Sequence, residues 1–223
     1  MFTGIIEHEG TVQSLELKPD GGRLTIHAPN VAPLLAVSKS IAVNGCCLTV
    51  VALDKKQFSA DLSAETIQKT SFGAKPGGLN KGSRVNLEQP LTAADELGGH
   101  FVLGHVDMVG HVAHLTPEGE NWWLGVEVPE DFARYIVPKG SITIDGISLT
   151  VARWNNQTRI AEVAVIPYTY EHTNIRDRKP GDAVNLEGDV LGKYVERFLG
   201  ARQGMGIAPK TELNLEELIK QGF

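Results

Sequence analysis

The sequence predicts an all-β protein: two tandem six-stranded closed β-barrels related by internal duplication, followed by a C-terminal α-helix. Three observations carry that prediction. First, a block of eleven residues recurs, SIAVNGCCLTV at 40–50 and SITIDGISLTV at 141–151, with six positions identical. Two more blocks keep the same order. Gly4-Ile5-Ile6-Glu7 with Gly10 and Val12 matches Gly104-His105-Val106-Asp107 with Gly110 and Val112. Gly82 with Val85-Asn86-Leu87-Glu88 matches Gly181 with Val184-Asn185-Leu186-Glu187. Chance does not hold three blocks in order at one offset near 100 residues, so one module is used twice. Second, each module carries about six short alternating runs per 100 residues, the pattern of a small barrel whose closure removes exposed strand edges. Third, beyond residue 190 the apolar period changes from that of a strand to that of a helix. The expected division is 1–100 and 101–190 for the barrels and 191–223 for the helix and tail.

The elements follow in chain order. Strands are expected at 10–17, 23–28, on either side of Asn44-Gly45, and at 57–62 and 84–88. Their counterparts lie near 110–115 and 122–128, around Asp145-Gly146, and at 159–166 and 183–187. Asn-Gly and Asp-Gly tolerate positive φ at both central positions and so favour two-residue type I′ hairpins. Segments 66–70 and 169–173 read as one-turn helices between strands. From 191 to 203, LGKYVERFLGARQ puts Leu191, Tyr194, Val195, Phe198 and Leu199 on one helical stripe. Two closed barrels offer little core for it, so an oligomer contact is expected. A link at 204–212 and a second short helix at 213–221 complete the chain.

Composition narrows the function. A net charge of −6 and 6% aromatic residues argue against a nucleic-acid partner, which needs a basic face and stacking rings. The two cysteines, Cys46 and Cys47, are adjacent and point to opposite faces of a strand, so no disulfide is expected. The start MFTGII lacks a basic stretch followed by an apolar core, so no signal peptide is expected. No apolar run approaches the ~20 residues of a membrane span. A cytoplasmic protein without a membrane partner is the expectation. No His/Cys/Asp/Glu set has zinc-like spacing, and His100 and His105, five apart, would point to opposite sides of a straight strand, so no metal is expected. Phosphate-binding, dinucleotide-binding and serine-hydrolase motifs are absent from the sequence.

Strand alternation sorts the repeated hairpin. Cys46, Leu48 and Val50 share one face with a core character, as do Ile147, Leu149 and Val151. Cys47 and Thr49, and at matched positions Ser148 and Thr150, form the other face. Small polar groups there suit the edge of a flat ligand; the pattern alone fits a solvent-facing strand equally well. His105 stands where the first module has Ile5, so a titratable group distinguishes the copies. A surface histidine would read the same way.

MFTGII, NGCCLTV, GGHFVLGHVD, DGISLTV and IPYT, in this order and spacing, resemble the riboflavin synthase family over both modules and the helix. The resemblance implies two barrels, each binding one 6,7-dimethyl-8-ribityllumazine, a helix that assembles a homotrimer, and no cofactor. It further implies a productive site between the first barrel of one subunit and the second of its neighbour, and lumazine synthase as a further partner. Carried onto this chain, the first pocket uses Gly4, Ile5 and Ile6, with Cys47, Leu48 and Thr49. The following segment adds Asp61, Leu62, Ser63, Ala64, Glu65 and Thr66. The second pocket uses Gly104, His105 and Val106, with Ser148, Leu149 and Thr150. Ala164, Val165, Ile166, Pro167, Tyr168 and Thr169 complete it, and Lys139 enters from the partner subunit. Ser40, Cys47, His105 and Thr150 match positions that serve turnover in the family. Ala64-Glu65-Thr66 becomes Pro167-Tyr168-Thr169 in the second copy, where the two pockets should differ. The implied activity is the dismutation of two lumazines by four-carbon transfer, giving riboflavin and 5-amino-6-ribitylamino-uracil. A rival is a lumazine or flavin antenna protein, which shares the duplicated fold but holds one chromophore without reacting it. Another is an unrelated tandem barrel that binds nucleic acid.

Overall fold

The computed structural model describes residues 1–73 and 76–204, with residues 200–204 described by their backbone. The first module forms β1 (His8–Lys18), β2 (Gly21–His27), β3 (Ser40–Val43), β4 (Cys46–Leu53), β5 (Gln57–Ser63) and β6 (Arg84–Glu88). A short α1 (Ala64–Lys69) follows β5. The second forms β7 (Met108–Glu118), β8 (Asn121–Glu127), β9 (Ser141–Ile144), β10 (Ile147–Asn155), β11 (Ile160–Val165), α2 (Pro167–Glu171) and β12 (Ala183–Gly188). Each set closes into an antiparallel barrel, in the order β1-β2-β5-β4-β3-β6 and its repeat β7-β8-β11-β10-β9-β12. Together they form one compact unit, Met1–Val190. The expected duplication of closed six-stranded barrels is therefore the architecture.

Local chemistry explains the corners. Asn44 and Gly45 have φ of 43° and 74°, Asp145 and Gly146 47° and 82°, as type I′ turns require. The register shifts at four matched places, between Val12 and Ser14, Val112 and His114, Val50 and Ala52, and Val151 and Arg153. Such bulges bend strands sharply enough to close a small barrel. Leu24, Ile26, Ile41, Val43, Val50, Phe58 and Leu87 fill the first interior. Leu124, Val126, Ile142, Ile144, Val151, Val163 and Leu186 fill the second. Cys46, Leu48, Ile147 and Val151 are buried, as alternation requires.

The barrels meet around an approximate two-fold relation. Phe2 and Val102 exchange backbone hydrogen bonds of 2.7 and 3.1 Å, and the Phe2 ring is buried among Ala42, Val102 and Cys47. The two hairpin tips abut, since a Cβ on Gly45 would lie 2.7 Å from Gly146 N. Beside them lies a buried polar lattice. Asn44 Oδ1 accepts from Asn86 N at 2.8 Å, and Asp145 Oδ1 from Asn185 N at 2.9 Å. Crossing the interface, Asn86 Nδ2 donates to Asp145 O and Asn185 Nδ2 to Asn44 O. Arg178 pairs with the Asp145 carboxylate. These bonds satisfy groups whose burial would otherwise cost about 1–3 kcal/mol each.

The helix α3 (Val190–Gly204) matches the expected 191–203, and Leu191, Tyr194, Val195, Phe198 and Leu199 are exposed on it. It lies in a separate unit that begins at Leu191. The second helix expected at 213–221, and the link before it beyond residue 204, lie outside the described residues. Among the described residues, no helix is long and apolar enough to cross a membrane.

Candidate functional site

Two matched faces carry the candidate site, and each is roofed by an arm preceding the other barrel. In the first, β4 turns Cys46 inward and Cys47 outward. Burial pushes the Cys46 thiol up to about 12, helped by Cys47 and Glu187, so at neutral pH it is a core side chain and no nucleophile. Cys47, half-buried, opens on a cleft of about 340 Å³ that also takes Glu65, Thr66, Lys69, His105 and Val106. The α1 residues get there because Ser63 caps the helix, its Oγ accepting from Thr66 N at 3.0 Å. Ser40 pairs with Thr49 across β3 and β4, which puts both on the outward face shared with Cys47.

The arm 101–107 runs from the Phe2–Val102 bridge across this face. Gly104 O accepts from Cys47 N at 2.8 Å, and Val106 packs on the first core. In the mirror relation, Gly4 O accepts from Ser148 N at 2.7 Å and Ile6 packs on the second core. This corrects the expected grouping. Gly104, His105 and Val106 complete the face of Cys47, and Gly4, Ile5 and Ile6 form the arm beside Ser148. The physical reason is that each arm enters its own barrel only after bridging to the other arm, so the two are exchanged. Both glycines have positive φ, 78° and 80°. A Cβ would lie 2.6 Å from the Cβ of Ser148 or of Cys47, so only glycine lets the arms approach this closely.

The second face differs chemically. His100 is 8% exposed, with Nδ1 2.8 Å from Ser148 Oγ and Nε2 3.1 Å from Thr143 Oγ1. Burial holds this imidazole below its ordinary range despite the nearby Asp189. Thr150 is exposed opposite Ser141, and Leu149 is half-buried. α2 starts at Pro167 after Ile166, without a side-chain cap. Tyr168 stands out from it, and Tyr170 stacks on Trp122 at 3.7 Å between ring centres. Ala164 is exposed and Thr169 half-buried, whereas Val165 turns into the core.

Other expected residues fall into place unevenly. Leu48 and Leu62 are core side chains, so any ligand contact they make is through backbone. Asp61 is held by a two-pronged ion pair with Arg23 on the surface, and Ala64 is exposed at the start of α1. Lys139 is exposed on a loop with φ of 68°, a left-handed turn that Ser38 repeats at 70° in the first barrel. Sequence reasoning missed Lys69 and the His100–Ser148 contact. Lys69 could have been found as the one basic residue in the last turn of α1. Among the described residues, no three His, Cys, Asp or Glu side chains gather with geometry to hold a metal ion.

A Lumazine binding domain family matches the chain twice, over residues 3–90 and 103–189. The chain is 41% identical to the riboflavin synthase of Actinobacillus pleuropneumoniae over 223 residues, all of both proteins. It is 47% identical to that of Mycobacterium tuberculosis over 202 residues, covering 89% of this chain and 98% of the relative. Among solved structures, LumP complexed with riboflavin superposes with a TM-score of 0.77 at 25% identity, over 84% of this chain and 99% of that one. LumP complexed with 6,7-dimethyl-8-(1'-D-ribityl) lumazine gives 0.74 at 25% identity, over 84% and 98%.

Proposed function

This chain belongs to the riboflavin synthase family, an enzyme built on two lumazine-binding domains, and from that premise we propose the reaction and the place of its site. Two molecules of 6,7-dimethyl-8-ribityllumazine bind, one on the Cys47–His105 face and one on the Ser148–Thr150 face. A four-carbon unit passes from one to the other, giving riboflavin and 5-amino-6-ribitylamino-uracil. No external oxidant or reductant is needed, because one lumazine gains what the other loses. The observation that carries this reading is the repetition itself. Two outward faces of the same strand pair, each with small polar side chains and each roofed by an exchanged glycine arm, suit two copies of one flat molecule.

The C7 methyl of a lumazine is acidic because its conjugate base spreads over the ring, so one molecule can act as carbon nucleophile. The other accepts at C7. What remains for the protein is orientation, which can contribute about 7–11 kcal/mol to lowering a barrier. His105, in the cleft with Cys47, serves proton transfer on the first ligand; Cys47 and Ser40 steady that ligand or its adduct. Ser148 and Thr150 bond the edge of the second, with Ser148 oriented by His100. The reacting pair forms where the first barrel of one subunit meets the second of its neighbour, which brings one face of each kind together. The exposed apolar stripe of α3 supplies the contact for a homotrimer, with Lys139 reaching across.

The test is incubation of the purified chain with 6,7-dimethyl-8-ribityllumazine while lumazine absorbance and riboflavin fluorescence are followed. Two lumazines consumed per riboflavin formed is the expected result. Tight binding of one lumazine per chain without product would favour a chromophore carrier like LumP. The identities of 41–47% to riboflavin synthases, against 25% to LumP, weigh for the enzyme.

A further inference from the structure

Two buried carboxylates occupy the same place in the two barrels and have no part in the reaction above. Glu88 ends β6 and is 4% exposed; Glu187, in β12, is 2% exposed. A carboxylate placed so deep is costly unless donors surround it. Here the donors come from the arms. Glu88 Oε1 accepts from Thr3 N at 2.6 Å and Thr3 Oγ1 at 2.7 Å, and Oε2 accepts from Gly4 N at 3.0 Å. Glu187 Oε1 accepts from Leu103 N at 2.7 Å, and Oε2 from Gly104 N at 3.0 Å. The same two glycines offer their carbonyls in the other direction, Gly4 to Ser148 N and Gly104 to Cys47 N. Each carboxylate is thus tied, through one glycine, to the ligand-facing strand of the opposite barrel. Burial pushes the Glu88 carboxyl above its usual range, and the Thr3 and Gly4 donors act against that shift.

We propose that Glu88 and Glu187 are positioning residues acting crosswise: Glu187 sets the arm that completes the Cys47–His105 cleft, and Glu88 sets the arm that completes the Ser148–Thr150 face. The assignment of these faces as ligand sites rests on the function proposed above. Thr3 Oγ1 adds a side-chain donor to the first clamp, at the position where the second module has Leu103.

Two readouts on the full chain test this. Amide exchange reports the clamps without any ligand. Glu187→Gln turns an amide NH₂ toward one arm donor, so exchange at the Cys47 amide should quicken while the Ser148 amide is unchanged; Glu88→Gln should do the reverse. The second readout uses riboflavin as probe and Cys47, alkylated by iodoacetamide, as reporter, in a Cys46→Ala background so that one thiol is read. The riboflavin concentration giving half-protection of Cys47 should rise about tenfold in Glu187→Gln, the effect of one lost hydrogen bond. It should stay within about twofold in Glu88→Gln, a contrast that general unfolding would not produce. Equal effects of both glutamine variants on Cys47, or no effect of Glu187→Gln, would overturn the crosswise assignment. If riboflavin fails to protect Cys47 in that background without either glutamine substitution, the reading of this cleft as a ligand site falls, and the amide exchange still decides the clamps.

Discussion

A methyl group on Gly104 would sit 2.6 Å from the Cys47 Cβ and 2.9 Å from the Phe2 ring, at a φ that L-residues avoid. Gly104→Ala should therefore lift the arm from the cleft and lower stability by about 1–3 kcal/mol, read as a shift of the urea midpoint together with a fall in turnover. An alanine variant with unchanged midpoint and rate would mean the arm is not held where it is seen. Chemistry at the same cleft should be distributed. His105→Gln should cost about 10²–10⁴-fold in turnover, the usual range for one acid–base group, and Cys47→Ser, which loses a group that steadies the ligand, no more than that. His100 makes a different kind of prediction. Its imidazole is held below the ordinary 6.5 by burial, so on acidification the unfolded chain takes up the proton first. The stability that neutral His100 contributes is complete above the unfolded value near 6.5 and is lost as pH falls through the lower folded value. As pH is lowered from about 6.5, the urea midpoint should drop more steeply in the natural chain than in His100→Gln; parallel profiles would contradict it.

Among the elements, α1 and α2 separate the two faces most clearly. Ser63 caps α1, and replacing it with Ala should cost about 1 kcal/mol, loosening the turn that brings Glu65, Thr66 and Lys69 to the cleft. The expected outcome is a raised KM with kcat nearly kept. The second module should show no such sensitivity at Ile166, where Pro167 starts the helix instead. What could be read from the sequence follows from how local each signal is. The hairpins were legible because Asn44-Gly45 and Asp145-Gly146 declare their turn in two residues, and the outward positions of Cys47, Thr49, Ser148 and Thr150 followed from a period of two. The bulges after Val12, Val50, Val112 and Val151 were not, because one inserted residue leaves no compositional mark. The exchange of arms was invisible for a deeper reason: in a duplicated sequence, Gly4 beside Cys47 and Gly4 beside Ser148 preserve the same pattern. Glu88 and Glu187 recurred plainly at the repeat offset, but only the fold revealed that arms bind them.

For the whole molecule, the apolar stripe of α3 was evident from its spacing, and it remains exposed in the isolated chain. A chain ending at residue 190 keeps both barrels and every site residue named above. It should bind lumazine with near-natural affinity but turn over slowly as a monomer, measured by sedimentation and initial rates. A fully active monomer would refute a site between subunits. The most direct measurement combines two lesions. A chain with Cys47→Ser and His105→Gln has only its second face intact, and one with Ser148→Ala and Thr150→Ala only its first. Co-expressed, they should form mixed assemblies in which one intact first face meets one intact second face, with activity well above the sum of the two alone. Activity equal to that sum would contradict the pairing of faces across subunits.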